Sequence, residues 1–540
     1  MGKRRFAMVE TIGALFDARA KAFSDHSFLQ VPANAGRSYH PDGYVCSYGE
    51  AAQAVDEMVA TLSDAGYGHS HRIAVLLENR PEMLLIKLAL AKRGISWVPV
   101  NPDYRPAEVA YLLQDSAADL ALVAPELAEL MAQGIAESGL DVPTVEMTES
   151  LPELPKARRA APSDQPVSGA TEASLIYTSG TTGRPKGCIL SHAYEVEMGQ
   201  WYASRGGLIQ FEAGETKVYC PLPLFHVNAA ILLFMAVIET GSAQIIPERF
   251  RASVWWRELA ETGATAAHYL GIIIPALMNR EPEEWEEKHQ VKWAVGAGVE
   301  PTLHRPFEER FGFPLIEVWG MSEMCRMLAD CHEPRRIDTR AMGRPQPGLD
   351  IRVVDENDVE VPRGVPGEMT LRYSAETPRR GAFSGYLNLP EATEEAWRGG
   401  WFHTGDTVVM DDSDMVTFVD RKKNIIRRSG ENIAAAEIEA CLQDHPKVDR
   451  VAVVAVEDAM RDEEVMACIQ VLGAADETLA QELFDWSFAR LAYYKAPGWI
   501  RFMDEIPVTG TQKIQKHSLF GAQGTETDGA FDFRPRKKRG

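Results

Sequence analysis

The chain lacks most of the features that assign a protein at a glance. Its seven cysteines stand at 46, 188, 220, 325, 331, 441 and 468 with no CxxC pair. An odd, scattered set excludes a disulfide framework and fits reduced thiols in a cytosol. Cys325, Cys331 and His332 are close in sequence but have no fourth ligand beside them, so no zinc site is expected. The longest apolar run, Ala229–Ile238, is far too short to cross a bilayer. The N-terminus MGKRRFAMVE has no apolar core of a signal peptide, and Phe6 stands where a myristoylation motif carries a hydroxyl residue. Basic residues are in deficit, 56 against 78 acidic, for a net charge of −22. Such a surface repels nucleic acid and anionic membranes and favours solubility, while local basic loops can still hold a nucleotide. Internal repeats are absent.

A Walker A loop is missing too. The stretch LIYTSGTTGRPKG (175–187) has hydroxyls, glycines and one lysine, but Pro185 precedes Lys186 and Gly187 follows it, against the GxxxxGK[ST] pattern. It nevertheless reads as a phosphate-handling loop. It follows the apolar strand Ala173–Thr178, and open α/β sheets place their ligands at the carboxyl ends of strands.

What is present is alternation. HRIAVLLEN (71–79) reads as a buried strand. PEMLLIKLALAKRG (81–94) reads as a helix, with Pro81 in its first turn and Gly94 as its stop, and ISWVPVNP (95–102) as the next strand. This predicts parallel sheets flanked by helices. At 540 residues the chain is too long for one core, so two or more domains are expected. Residues 151–172, rich in Pro, Ala and Ser, read as a surface connection. From about 424 the texture becomes a small α+β unit: a helix at 434–443, the strand VDRVAVVAVE, an acidic loop at 457–464 and the strand VMACIQV. The last residues, 521–540, have little to bury and are expected to be a disordered, solvated tail.

Downstream of the loop come PLFHVN (223–228), VWGMSE (318–323), WFHTGD (401–406), VDRKKNIIRRSGENI (419–433) and IPVTGTQKIQK (506–516). With GISWVPVNPDYRPAEVAYLL upstream, this ordered set resembles the adenylate-forming superfamily of acyl-CoA synthetases, luciferases and peptide-synthetase adenylation domains. The likeness spans nearly the whole chain. The wording of PLFHVN and TGTQKIQK is similar to the carnitine/crotonobetaine-CoA ligase-like branch.

The resemblance implies an α/β fold with a large N-terminal domain (1–422) of flanked, mainly parallel sheets and a small mobile α+β C-terminal domain (424–520) hinged at Lys423. It implies an enzyme that uses ATP and Mg²⁺ to join a carboxylic acid to AMP and then to a thiol. Thr178, Ser179, Thr181 and Thr182 would offer hydroxyls to the β- and γ-phosphates. Gly180 and Gly183 would let backbone N–H groups close in, and Lys186 would add charge or brace the loop. Glu323 matches the metal ligand. Ser322 stands where the family usually has Thr and keeps a hydroxyl for the α-phosphate. Trp319, beside Gly320, replaces the usual Tyr against adenine, with Gly296–Gly298 on the other face. Asp406 matches the ribose ligand and Arg421 a second nucleotide contact. His226 resembles the gate of the acyl pocket. Arg427, Ser429, Gly430 and Glu431 would line the thiol tunnel. Lys513 matches the late catalytic lysine, although Gln512 replaces the glycine common before it.

The acceptor implied is coenzyme A: the 540 residues hold no carrier or condensation module, and 401–430 lacks the insert of stand-alone acyl-AMP ligases. The acid pocket, drawn from residues near His226–Ala230, His268–Ile274, Gly296–Glu300 and Gly320–Met321, reads as mainly apolar and small, suited to an aliphatic or aryl acid. Expected partners are a small-molecule acid, no nucleic acid and no integral membrane contact, with a homodimer open to it and a cytoplasmic location. A carrier-protein ligase, a luciferase-like oxygenase and an inactive binding protein stay open as alternatives.

Overall fold

A computed structural model describes residues 11–178, 184–421, 425–507, 516, 519–520 and 527–538. Two β-sheets dominate the first three-quarters of the chain. One has eight strands, and its middle is parallel: Ser27–Val31, Ala243–Ile245, Lys217–Tyr219, Ala266–Leu270, Trp293–Ala297 and Leu315–Met321 lie side by side, with antiparallel edges at Tyr44–Ser47 and Met324–Ala329. The other has seven. Its parallel middle contains Ser96–Pro99, Arg72–Leu76 and Leu120–Val123, and Glu172–Thr178 joins it before turning back antiparallel into Lys186–Ser191. The predicted strand at 71–79 is Arg72–Leu76. The predicted helix is Pro81–Lys92, with Pro at its first turn, and Gly94 takes φ +65° just beyond it.

That helix is buried all round, so it has no polar face to spend on Lys87. The Lys87 ammonium is instead held at 2.6 Å from Glu195 and 2.8 Å from the Ser174 hydroxyl, all three buried. A buried charge is tolerable only when paired and hydrogen-bonded. This bond set ties the helix to the strand that leads into the glycine-rich loop.

A third sheet is antiparallel throughout and was not legible as such. It runs Ala341–Gly343, Val416–Arg421, Phe402–Met410, Gly367–Arg372 and Asp350–Val354. It carries Asp406 opposite Arg421 in register.

After residue 424 a separate core forms around Ile426, Ile438, Val453, Ile469, Leu483 and Ile500. The long strands Val448–Asp458 and Asp462–Val471 form a hairpin. The acidic stretch expected as a loop at 457–464 is therefore mostly strand, with only residues 459–461 turning. The tail also departs from expectation. Within 527–538, Phe531–Asp532 adds an antiparallel strand beside Trp499–Phe502, and Phe533 is buried. Phe531 and Phe533 pack against the small-domain core. Among the described residues no helix is long and apolar enough to cross a membrane.

Candidate active site

The strand Glu172–Thr178 delivers the chain to the loop, and Lys186–Ser191 takes it away. Ser179, Gly180, Thr181, Thr182 and Gly183 lie outside the described residues. Lys186, at the exit, holds its ammonium 4.7 Å from the centre of the Tyr386 ring. The Tyr386 hydroxyl in turn donates to Glu323 Oε1 at 2.8 Å. Burial and the adjacent carboxylate push the Tyr386 phenol well above its usual range, so it stays a donor. Tyr386 sits on the short strand Gly385–Tyr386, paired to Lys186–Ser191. Thus one tyrosine fixes the lysine of one motif against the acid of another. Sequence reasoning missed Tyr386; its only local signal was an aromatic after glycine in SGYLN.

Glu323 is buried at the turn between Leu315–Met321 and Met324–Ala329. Ser322, before it, has its carbonyl held by the Tyr194 hydroxyl at 2.9 Å. Among the described residues no group of three or more His, Cys, Asp and Glu could hold a metal alone. A single hard carboxylate does suit Mg²⁺, which usually takes one or two protein carboxylates and completes its shell with water and substrate phosphates. The donor set fits that ion and not a zinc cage.

Trp319 and Asp406 come together across two sheets: the indole Nε1–H donates to Asp406 Oδ2 at 2.7 Å, with both side chains buried. The aromatic and the acid of separate motifs therefore share one wall. Beside them the carboxyl ends of the parallel strands approach closely. A Cβ on Gly271 would fall 1.9 Å from the Gly298 carbonyl oxygen, so only glycine fits there. Glu317, the lone acid in LIEVWGM, braces this turn. It accepts from Gly298 N at 2.9 Å, Val299 N at 3.3 Å and the Tyr269 hydroxyl at 2.8 Å. Burial raises its carboxyl above the usual range. This residue too was unforeseen.

The stretches expected to line the acid pocket include a buried polar set. His268 is fully buried between the Tyr202 hydroxyl at 2.8 Å and Asn228 Oδ1 at 2.7 Å. The amide oxygen can only accept, so Nδ1 carries the proton and Nε2 accepts from Tyr202. Asn228 opens a π-helical stretch, Asn228–Leu233, a form often found at functional positions. Burial pulls the His268 imidazole down to about 3. A folded-state value below the unfolded 6.5 means the unfolded chain binds the extra proton. This contribution to stability is intact above about 6.5 and is lost as pH falls toward about 3. The urea midpoint should accordingly drop between pH 7 and pH 5, and His268→Gln should flatten that dependence, measured by equilibrium unfolding.

The small domain packs on the large one at Leu270 and His226. Strands Ile425–Arg428 and Glu431–Ala434 form a hairpin whose two turn residues, Ser429 and Gly430, have φ of +52° and +88°. Positive φ at both central residues matches the twist of a tight hairpin. A Cβ on Gly430 would lie 2.4 Å from Leu270 Cδ1, so the turn packs directly on the end of a large-domain strand. Glu431 Oε2 reaches 3.6 Å from His226 Nε2, whose side chain is 42% exposed. Arg427 lies over the Phe418 ring at 4.7 Å. Lys495 ties the two domains from the side, bonding Glu108 at 2.5 Å and Glu437 at 2.8 Å. Lys423 and Lys513 lie outside the described residues, and of Arg421 only the backbone is described.

This chain belongs to the AMP-binding enzyme family, whose profile matches residues 16–387; the AMP-binding enzyme C-terminal domain profile matches 437–513. It is 30% identical to a sulfoacetate–CoA ligase of Cupriavidus necator over 94% of this chain and 97% of that one. To a crotonobetaine/carnitine–CoA ligase of Salmonella arizonae it is 26% identical over 94% and 98%. Its fold is similar to that of an o-succinylbenzoate CoA synthetase double mutant of Bacillus subtilis bound to a product analogue. The TM-score is 0.77 at 23% identity, covering 94% of this chain and 98% of that one.

Proposed function

We propose that the protein is an AMP-forming acid–coenzyme A ligase. An oxygen of the acid's carboxylate attacks the α-phosphorus of ATP, and the bond to pyrophosphate breaks. The thiol sulfur of coenzyme A then attacks the acyl carbon, and AMP leaves. Both steps bring anions together, so alignment and charge screening supply most of the rate. Mg²⁺, held through Glu323, would screen the phosphates. Lys186 would meet the leaving pyrophosphate together with the hydroxyls and N–H groups of Thr178–Gly183, and Ser322 the α-phosphate. Trp319 and Gly296–Gly298 would bracket adenine. Asp406 would hold the ribose with Arg421 beside it, and Gly320 would let Trp319 sit where it does, since a Cβ at Gly320 would lie 2.2 Å from Met327 Sδ.

One observation carries the choice of acceptor. The hairpin of Arg427, Ser429, Gly430 and Glu431 is seated on Leu270 and beside His226. It walls the acid end of the site on the side from which a thiol must enter. Between the domains lies a cleft lined by Arg184 and Arg490 together with Tyr104, Tyr111 and the acids Glu108, Glu137 and Glu437. Free cysteines agree with a reducing, cytoplasmic setting.

The acid is proposed to be a small carboxylic acid. The relatives' names specify sulfoacetate and crotonobetaine or carnitine, so short polar acids belong beside aliphatic and aryl ones in a test. Each acid is incubated with ATP, Mg²⁺ and coenzyme A, and AMP and acyl-CoA are quantified by mass spectrometry. ADP with acyl-phosphate, or AMP without thioester for every acid, rejects the proposal.

Asp406→Ala should chiefly weaken nucleotide binding. A ribose contact is present in ground and transition states alike, so KM for ATP should rise more than kcat falls. Unchanged KM with lost kcat, in steady-state kinetics, would reassign Asp406 to chemistry.

A further inference from the structure

The ordered C-terminal segment reaches the thiol-side hairpin through three buried charges. Phe531–Asp532 pairs with Trp499–Phe502 in the register Trp499↔Asp532 and Ile500↔Phe531. Phe533 N–H donates to the Gly498 carbonyl at 2.8 Å, and its ring stacks on Phe484 with centroids 4.8 Å apart and planes 11° apart. Arg534 donates to Asp458 at 3.0 Å. These contacts set down Lys537, whose side chain is fully buried, with Nζ 2.5 Å from Glu464 Oε1. Arg428 Nε donates to the same carboxylate at 3.0 and 2.8 Å, and the Arg428 side chain is itself buried. Its Nη2 is buried with no hydrogen-bond partner among the described residues. Arg428 is the last residue of the strand that turns through Ser429 and Gly430.

Two cations on one carboxylate, away from water, are a poor source of stability; well-packed apolar side chains often do as well or better. What such a triad does supply is a fixed geometry, since each charge has one partner position that satisfies it. Here the fixed object is Arg428, and with it the turn that packs on Leu270.

We propose that the segment Phe531–Lys537 is a latch that positions the 425–434 hairpin for thiol transfer, with Lys537 as a positioning residue acting through Glu464 and Arg428. This rests on the reading of the hairpin as the thiol-side wall. The latch predicts a split between the two half-reactions. By the same reading, acid-dependent ATP–pyrophosphate exchange depends on Lys513, whereas the triad acts on the hairpin. Conversion of pre-made acyl-adenylate and coenzyme A to thioester uses the hairpin.

The full-length Lys537→Met protein keeps the side chain's bulk and removes its ammonium. It should lose about tenfold or more in the thioester half-reaction, the scale of a small misplacement of a positioned wall. Its exchange rate should stay within about twofold of wild type. Glu464→Gln should show the same split, as should a chain ending at Ala530. If that truncated chain does not fold, the two point variants decide. Wild-type rates in both half-reactions overturn the latch. Equal loss in both also overturns it, because that is what a merely loosened small domain would give. A wild-type protein that makes no thioester defeats the ligase reading instead, independently of the tail.

Discussion

Glu323→Gln should leave a folded protein whose turnover is lower by roughly 100-fold or more, the scale of removing a key charge stabiliser. The substitution keeps the shape of the side chain. Its amide oxygen can still accept the Tyr386 hydroxyl, which now donates to Oε1 at 2.8 Å. The lysine–tyrosine contact at 4.7 Å is untouched. What disappears is the one hard anionic oxygen donor at this turn. The loss should be accompanied by a demand for higher Mg²⁺, because a neutral amide is a weaker ligand for a hard cation. Tyr386→Phe provides the calibration: it removes a hydrogen bond to a charged group, worth about 1.5–3 kcal/mol, without removing the charge. Turnover titrated against Mg²⁺ separates the two. A glutamine variant with wild-type rate at limiting Mg²⁺ would remove Glu323 from the metal site.

The contrast between these two residues shows where sequence reading succeeds and stops. Glu323 was legible through the resemblance carried by the ordered motifs; taken alone, a glutamate there reads as an ordinary surface residue. Asp406, after a glycine, reads locally as a turn former, and only the neighbouring motifs promoted it. Tyr386 and Glu317 had no such context. Their work is done across the chain, with Tyr386 joined to Glu323 and Glu317 to the Gly298 turn. Such partners are set by sheet order, which hydrophobic periodicity does not encode. For the same reason the parallel layers were readable from strand–helix alternation, whereas the antiparallel sheet of 341–421 was not: apart from the short turn between Phe402–Met410 and Val416–Arg421, its strands pair across long connections. The tail failed in the opposite direction. Its composition argued for solvation, and average composition cannot see two phenylalanines finding Phe484 and Ile500.

The other large effect concerns the two lysines, Lys513 and Lys423, that flank the small domain's task. If that domain swings about Lys423, its two faces serve the two half-reactions in turn. The described arrangement has the 425–434 hairpin on Leu270, the face expected for thioester formation. Lys513 would then act from the other face, its charge bridging the acid's carboxylate and the α-phosphate as they meet, an interaction strongest in the transition state. Lys513→Ala should therefore lower acid-dependent ATP–pyrophosphate exchange by about 100-fold or more. The same variant, given acyl-adenylate and coenzyme A, should form thioester near the wild-type rate. Lys423→Pro should do the reverse. Proline fixes φ and hinders a backbone swing, so exchange persists while overall thioester synthesis from acid and ATP fails. Measured side by side on folded proteins, the two variants should show opposite losses. Equal loss of both half-reactions in both variants would mean that one domain pose performs both steps, and the swing about Lys423 would have to be given up.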